Sequence, residues 1–154
     1  MQTVVDINKA FEDLVANHLQ LKQFYTFSLE EIDIDKITVD LFPLLYAQCT
    51  SATIEGGATT FDYEVIVADL VIEKQGPEIT QIYGETLLIL QDVISQFHLN
   101  VSAMATEVNS SWSFDMPIVA DPFSARFNNM LTGWSCSFSI RVPNVVNLCN
   151  ALYE

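Results

Sequence analysis

Hydrophobic side chains recur every third or fourth residue in two parts of the chain, and this spacing predicts two amphipathic helices. The first helix is predicted over residues 4–21, with Asp6 as its N-cap, and the second over residues 79–97. Gly84 lies inside the second helix, where glycine costs about 1 kcal/mol, so a close packing contact is predicted there. The hydrophobic stripes consist of Ile7, Phe11, Leu14, His18 and Leu21 in the first helix, and of Ile82, Thr86, Ile89, Leu90, Val93, Ile94 and Phe97 in the second.

A period of two residues, which is typical of β-strands, governs much of the remaining chain. Residues 41–72 predict a hairpin, whose first strand is buried and begins at a proline and whose turn contains Gly56 and Gly57. Residues 30–38, "EEIDIDKIT", mix acidic residues with isoleucines at a period of two and fit either an exposed strand or a loop.

Three more runs of alternating residues follow, within residues 99–108, 111–120 and 133–142, and each predicts a strand. The order is therefore helix, strands, helix, strands, with no internal repeat and no low-complexity linker. This order predicts a single α+β domain over residues 1–154, in which two main helices pack on one face of an antiparallel sheet.

The charge of the chain excludes several classes of partner. Twenty acidic residues against six basic ones give a formal net charge of −14, which repels nucleic-acid phosphates and anionic membranes. Two interpretations stay open. The acids keep an apolar-rich chain in solution, or they line a surface over which DNA slides without sticking.

Half of the residues are hydrophobic, but no apolar stretch approaches the roughly 20 residues that span a bilayer. The first residues show no signal-peptide pattern, so a soluble globular protein is predicted. Cys49, Cys136 and Cys149 form an odd set without C-x-x-C spacing, beside apolar stretches. They predict buried, reduced thiols and folding in a reducing compartment.

Motifs that carry catalysis or bind metals are missing from the sequence. His18 and His98 lack any metal-ligand spacing and are predicted to be packed or capping histidines. Residues 33–40 lack the glycine and the final glutamate of a calcium loop. Adjacent acids such as Glu30 and Glu31 are expected to be solvated surface. We therefore expect no enzymatic activity, no cofactor and no metal site.

Residues 121–149, "DPFSARFNNMLTGWSCSFSIRVPNVVNLC", form the most distinctive stretch of the chain. Phe123 and Phe127 are expected to anchor a loop in the core. Arg126 lies between them and is expected to pair with a carboxylate, either within the fold or across a subunit boundary.

Farther along this stretch, Gly133 is expected to permit a bulge beside Trp134. Three interpretations of residues 121–149 stay open: a segment that determines the fold, an interface element, or a ligand site. The candidate residues of the chain are Phe123, Arg126, Phe127, Gly133 and Trp134, together with Glu55, Gly56 and Gly57 in the hairpin turn.

The order of the motifs also resembles a protein family. The chain reads "FSLEEI", "LFPLLYAQ", "FDYEVIVADL", "LLILQDVISQF", "DPFSARFNNMLTGW" and "RVPNVVNLCN" in succession. This succession resembles the small tail-completion or tail-terminator (neck) proteins of tailed bacteriophages, in the version found in Bacteroidetes phages and gut crAss-like phages. The resemblance covers nearly the whole chain. It departs from the pattern at Phe42-Pro43, where the family has Tyr-Pro.

The resemblance implies an α+β protein that forms a ring, usually a hexamer, at the head-proximal end of the tail tube. Such a ring stops tube polymerisation and provides the docking surface for the head–tail connector. It implies that the strands around 41–72 and 99–140 form the sheet and the inner wall. It also implies that the turn at Glu55–Thr60 projects toward a neighbouring ring, and that Arg126 and Trp134 lie at or brace a subunit contact.

The implied partners are further copies of the chain, the tail tube protein and the head–tail connector protein. DNA would pass through an acidic lumen without specific binding, and no membrane is involved. The implied location is the virion, after synthesis in the bacterial cytoplasm. Two alternatives stay open, a head–tail connector adaptor and a small-ligand-binding α+β domain outside viruses. A closed apolar pocket would favour the ligand-binding domain, and a flat apolar edge would favour assembly.

Overall fold

A computed structural model describes residues 4–26, 42–70, 76–104, 112–126 and 131–143 of the chain. These residues form two helices and five strands. The helices are α1 (Val4–Asn17) and α2 (Gly76–Met104), and the strands are β1 (Gln23–Tyr25), β2 (Leu44–Glu55), β3 (Ala58–Leu70), β4 (Ala120–Arg126) and β5 (Leu131–Pro143).

The strands form one sheet in the order β1-β2-β3-β5-β4. The predicted α+β class is confirmed, but the sheet is mixed, because β1 runs parallel to β2 while the other pairs are antiparallel. The parallel pair arises where α1 delivers the chain beside the start of β2. There the backbone N–H of Lys22 donates to the carbonyl oxygen of Pro43 at 3.0 Å, and the chain then continues alongside β2.

Both helices pack on the same face of the sheet, as predicted. The aromatic rings of Phe11 in α1 and Phe97 in α2 stack with centroids 4.5 Å apart, and both side chains are fully buried. Alternate residues of the three central strands point into the same core because side chains of a strand alternate between faces. The strand residues of this core include Leu45, Ala47, Phe61, Tyr63, Val65, Val67, Cys136, Phe138, Ile140 and Val142.

The second helix is longer than predicted. Residues 99–104 belong to α2, so the strand predicted within residues 99–108 is wrong for that part, and residues 105–108 lie outside the described residues. The buried stripe continues from Val93 and Phe97 to Val101 in steps of four, which holds the segment in a helix. Gly84 is exposed, and a methyl group at this position would have no other group within 4 Å, so the close packing contact predicted there is wrong.

The first helix is shorter than predicted. It begins at Val4, so Asp6 lies in its first turn and is not the N-cap. It ends at Asn17, because the ring nitrogen Nδ1 of His18 accepts the backbone N–H groups of Gln20 (3.1 Å) and Leu21 (3.3 Å). These bonds hold the turn that leads the chain toward β1. They do not cap α1, because the unsatisfied groups at its C-terminal end are carbonyl oxygens, which an acceptor nitrogen does not bind. Leu21 remains buried beyond the helix.

The predicted hairpin is confirmed as β2 and β3, joined by Gly56 and Gly57. Gly57 has a backbone φ of 92°, a conformation that favours glycine. The pairing shifts register between Cys49 and Ser51, where β2 carries a bulge. The segment left open between strand and loop, residues 30–38, lies outside the described residues, and β1 is a short strand that was not predicted from the sequence.

The C-terminal strands are only partly as predicted. The run at 133–142 is confirmed as β5, whereas the run at 111–120 forms a single bridge from Ser113 to Arg141 and joins a strand only at Ala120. Residues after Ala120 form β4, an edge strand at a place where the sequence predicts a loop. Pro122 fits this edge because its missing N–H faces away from β5.

The face of the sheet away from the helices has a small hydrophobic cluster of its own, near the start of β2 and the end of β3. Its buried members are Phe42, Leu44, Tyr46, Ile66, Ala68, Phe123 and Leu131. No helix among the described residues is long and apolar enough to cross a membrane.

Candidate functional site

Around the hairpin turn, the helix-free side of the sheet is polar, and we call this area the polar face. Cross-strand registers align its side chains in rows across β2, β3 and β5. It consists of Gln48, Ser51, Thr53 and Glu55 from β2, Thr60, Asp62 and Glu64 from β3, and Ser137, Ser139 and Arg141 from β5.

The local sequence explains why these residues share one face. Asp62 and Glu64 alternate with core residues along β3, and Ser137 and Ser139 alternate with core residues along β5. Because strand side chains alternate with a period of two, burial of the core residues turns the acids and serines to the opposite side.

Asp62 is the centre of the hydrogen bonding on this face. Its carboxylate accepts the hydroxyl groups of Ser139 on β5 and Ser51 on β2, each at 2.5 Å. These bonds, the one from Ser139 first, hold the pKa of Asp62 below its usual range, because they favour the charged form. One ionised carboxylate thus connects three strands.

The polar face carries an excess of negative charge. Its acids are Glu55, Asp62 and Glu64, and its single base is Arg141, so the excess is two charges. Nη2 of Arg141 lies 3.5 Å from Oε2 of Glu55, and both side chains are more than half exposed. Such an exposed pair contributes little stability, but it places the one base of the face beside an acid.

The end of β2 and the hairpin turn form an exposed segment, which we call the arm. Every residue of the arm, from Ser51 to Gly57, is exposed, and Ile54 is 85% exposed. The candidate residues Glu55, Gly56 and Gly57 form its tip, and nothing lies within 4 Å of a methyl group built on either glycine. The arm is the part of the described structure that is most accessible to another molecule.

Gly133 allows close contact between two strands. A methyl group at this position would lie 1.9 Å from the carbonyl oxygen of Val67, so β5 approaches β3 too closely for any side chain there. The bulge predicted at Gly133 is wrong, because the register shift of this region lies in β4, between Phe123 and Arg126. Phe123 pairs with Gly133 and is buried, as expected for a core anchor, although it lies in a strand.

The side chain of Trp134 lies on the helix-covered face of the sheet and connects β5 to α2. Its indole N–H donates to the carbonyl oxygen of Tyr83 at 2.9 Å, and the two rings meet edge to face at 5.8 Å. Arg126 pairs with Leu131 through the backbone, but its side chain lies outside the described residues, as does the whole of Phe127. The described C-terminal candidates therefore do not converge on one site.

Two of the open depressions that described residues line are candidate ligand sites. One, about 690 Å³, lies between α1 and α2, where Nε2 of His18 lies 3.5 Å from Oδ2 of Asp92. The other, about 510 Å³, lies beside β5 and contains Asp115 and Asp121. The described residues contain no group of three or more potential metal ligands. Neither depression is the closed apolar pocket that would favour a ligand-binding domain.

The two described thiols are free, as predicted. Cys136 is buried, and desolvation raises its pKa to about 12. Cys49 is partly exposed, and burial again is the main cause that raises its pKa. Both thiols therefore stay protonated at neutral pH and are poor nucleophiles. Cys149 lies outside the described residues.

Of the polar face, only Glu55 was among the candidate residues predicted from the sequence. The sequence does contain a pattern that indicates such a face. Asp62 and Glu64 are two residues apart, and so are Ser135, Ser137 and Ser139. Recognising it required the pairing of β3 with β5, which brings residues some 75 positions apart into one row. The chain matches no known family model and no curated protein.

Proposed function

We propose that this chain is a structural virion protein, a tail terminator that forms a ring at the head-proximal end of a phage tail tube. In that role it ends tube polymerisation and joins the tail to the head–tail connector. The proposal rests on the resemblance of the sequence motifs and on one structural observation, the polar face of the sheet.

The polar face has the properties that a DNA-conducting wall needs. It is rich in hydroxyl groups and negatively charged, and its one base, Arg141, lies beside Glu55. Phosphates bind proteins mainly through lysine and arginine, so such a wall neither holds nor slows DNA. In the proposed ring, the polar face lines the lumen and the two helices form the outer layer.

The exposed arm supplies a surface for a neighbouring ring. It is exposed from Ser51 to Glu55 and ends in the Gly56–Gly57 turn, so a partner can reach the turn and the outer edge of β2. A ring of identical subunits closes only through a heterologous contact, so the subunit also needs two different lateral surfaces.

Electron microscopy of the virion tests the proposal directly. Gold-labelled antibody against the chain should mark the junction of head and tail, and averaging should show six-fold symmetry at the labelled ring. A twelve-fold ring would identify a connector adaptor instead. Label on the capsid shell, on the distal tail or on no part of the particle would refute both.

A matched pair of charge reversals tests the lumen. Glu64→Lys adds a base to the polar face, whereas Glu12→Lys makes the same change on the exposed side of α1. We expect particles with Glu64→Lys to assemble but to eject DNA at least several-fold more slowly, because the added lysine binds phosphates. Particles with Glu12→Lys should eject normally. Equal ejection rates for the two variants would place the polar face away from the DNA.

A further inference from the structure

Among the residues that the structure describes, nothing pairs with the outer edge of β2 along the arm, and we call this stretch the open edge. β1 pairs with β2 only at Leu44, Leu45 and Tyr46, and no other described residue pairs with this edge. From Thr50 to Glu55 every residue is exposed. A strand edge of this kind presents unpaired N–H and C=O groups that another strand can bind.

The hydrogen-bond pattern identifies which groups face outward. Arg141 and Ser113 exchange both backbone hydrogen bonds, at 2.8 and 3.0 Å, so the backbone groups of Arg141 point away from β3. Pairing alternates along antiparallel strands. Thr60, opposite Arg141, therefore bonds to Thr53 on β2, and the backbone groups of Ala52 and Ile54 point to the open edge.

This edge lacks the usual protection against pairing with another chain. Natural edge strands carry lysine, proline or inward-pointing charges. Residues 44–54, "LLYAQCTSATI", contain no charged residue and no proline, in a chain with 20 acids and 6 bases. The bulge between Cys49 and Ser51 precedes the arm and leaves Ser51–Glu55 regular. At the opposite edge of the sheet, β4 does carry Asp121 and Pro122.

We propose that two copies of this chain pair through the open edges of their β2 strands, antiparallel and across a two-fold axis. The second copy is the favoured occupant because its matching edge is also uncharged, so the strand contact itself brings no like charges together in a chain of net charge −14.

One register suits this pairing. With Ala52 of one copy opposite Ile54 of the other, each Glu55 lies opposite a neutral Ser51. The exposed Ile54 side chains then gain apolar cross-strand neighbours. The contact does not depend on the proposed ring, because a two-fold contact closes at two copies.

Proline substitution at Ala52 tests the pairing. It removes an N–H that faces the open edge and leaves the β2–β3 hydrogen bonds in place, as proline is tolerated at such edge positions. Ala52→Val, which keeps the N–H, is the matched control. Light scattering on a sizing column should give twice the chain mass of 17.3 kDa for the wild type and for Ala52→Val. It should give the mass of one chain, or at least tenfold weaker association, for Ala52→Pro.

Circular dichroism establishes that each variant is folded. If Ala52→Pro does not fold, Ile54→Lys serves instead, because its exposed side chain places a charge on the edge and should also yield a single chain. A wild type that is monomeric at every concentration refutes the inference, and so does a folded Ala52→Pro that associates like the wild type. Such a result leaves the ring proposal intact, since microscopy of the particle tests that separately.

Discussion

Asp69 is the described carboxylate whose environment least favours its charge. It lies half-buried near the end of β3, where burial raises its pKa, and the nearby negative charge of Glu85 raises it further. The backbone N–H of Leu70 donates to its carboxylate at 2.8 Å and acts in the opposite direction. A carboxyl group with a raised pKa costs stability wherever it is ionised in the folded protein.

Replacement of Asp69 by asparagine should therefore stabilise the protein at neutral pH. The amide keeps an oxygen for the Leu70 N–H and removes the buried charge, so we expect a gain of up to about 1 kcal/mol at pH 7. The gain should disappear as the pH falls through the raised pKa of Asp69 toward about 3.9, the value for an unfolded chain, because the wild-type side chain becomes neutral as well.

Urea unfolding of both proteins between pH 4 and pH 8 measures this difference. Glu12→Gln removes a charge from an exposed position of α1 and should change the unfolding free energy little at any pH. An Asp69→Asn variant that is less stable than the wild type at pH 7 would mean that the carboxylate makes a favourable interaction in its charged form.

Two glycines lie in elements that leave very different amounts of space for a side chain. Gly133 lies where the backbone of β5 approaches β3, so that a methyl group would lie 1.9 Å from the carbonyl oxygen of Val67. Gly84 is exposed on α2 with open space around it. The same substitution should therefore have opposite effects at the two positions.

Gly133→Ala should destabilise the protein by about 3 kcal/mol, because the added methyl forces the two central strands apart. Gly84→Ala should stabilise it by up to about 1 kcal/mol, because alanine is the better helix former. Chemical denaturation measures both changes against the wild type. Gly133→Ala with wild-type stability would show that β5 moves away from Val67 at no cost.

The elements that follow a regular pattern could be predicted from the sequence, and the others could not. The hairpin and β5 alternate clearly, and the stripe of α2 is buried from Ile82 to Phe97. Hydrophobic and polar residues also alternate at the start of residues 99–104, and this alternation favours a strand. Val101, however, continues the buried stripe of α2, and the segment is helical. β1 and β4 lie at the two edges of the sheet. They form because a neighbouring strand pairs with them, and their own sequences show no strand pattern.

The candidate site was less predictable than the fold. The sequence indicated that the turn at Gly56–Gly57 is exposed, and the structure places it at the tip of the arm. It did not indicate that the carboxylate of Asp62 accepts hydrogen bonds from hydroxyl groups on two other strands, because those partners are 11 and 77 positions away along the chain. Only the strand order of the sheet brings them together.

At the scale of the whole molecule, negative charge is only weakly balanced. Two ion pairs with lysine or arginine connect described residues, Lys9 with Asp13 at 3.0 Å and Arg141 with Glu55 at 3.5 Å, and both are exposed. Because 20 acids face six bases in the chain, net repulsion between its charges is expected. A folded chain holds these charges closer together than an unfolded one, so the repulsion acts against the fold.

Added salt should therefore raise the thermal stability of the protein. The screening length falls from about 30 Å at 0.01 M to about 8 Å at 0.15 M ionic strength, which weakens repulsion between distant surface charges. We expect the unfolding midpoint to rise by about 3 °C over this range, which corresponds to about 1 kcal/mol for a chain of this size. Calorimetry in sodium chloride, compared with an uncharged solute at the same osmolality, separates screening from solute exclusion. A midpoint that stays constant or falls with salt would show that attractive charge pairs outweigh the excess of acids.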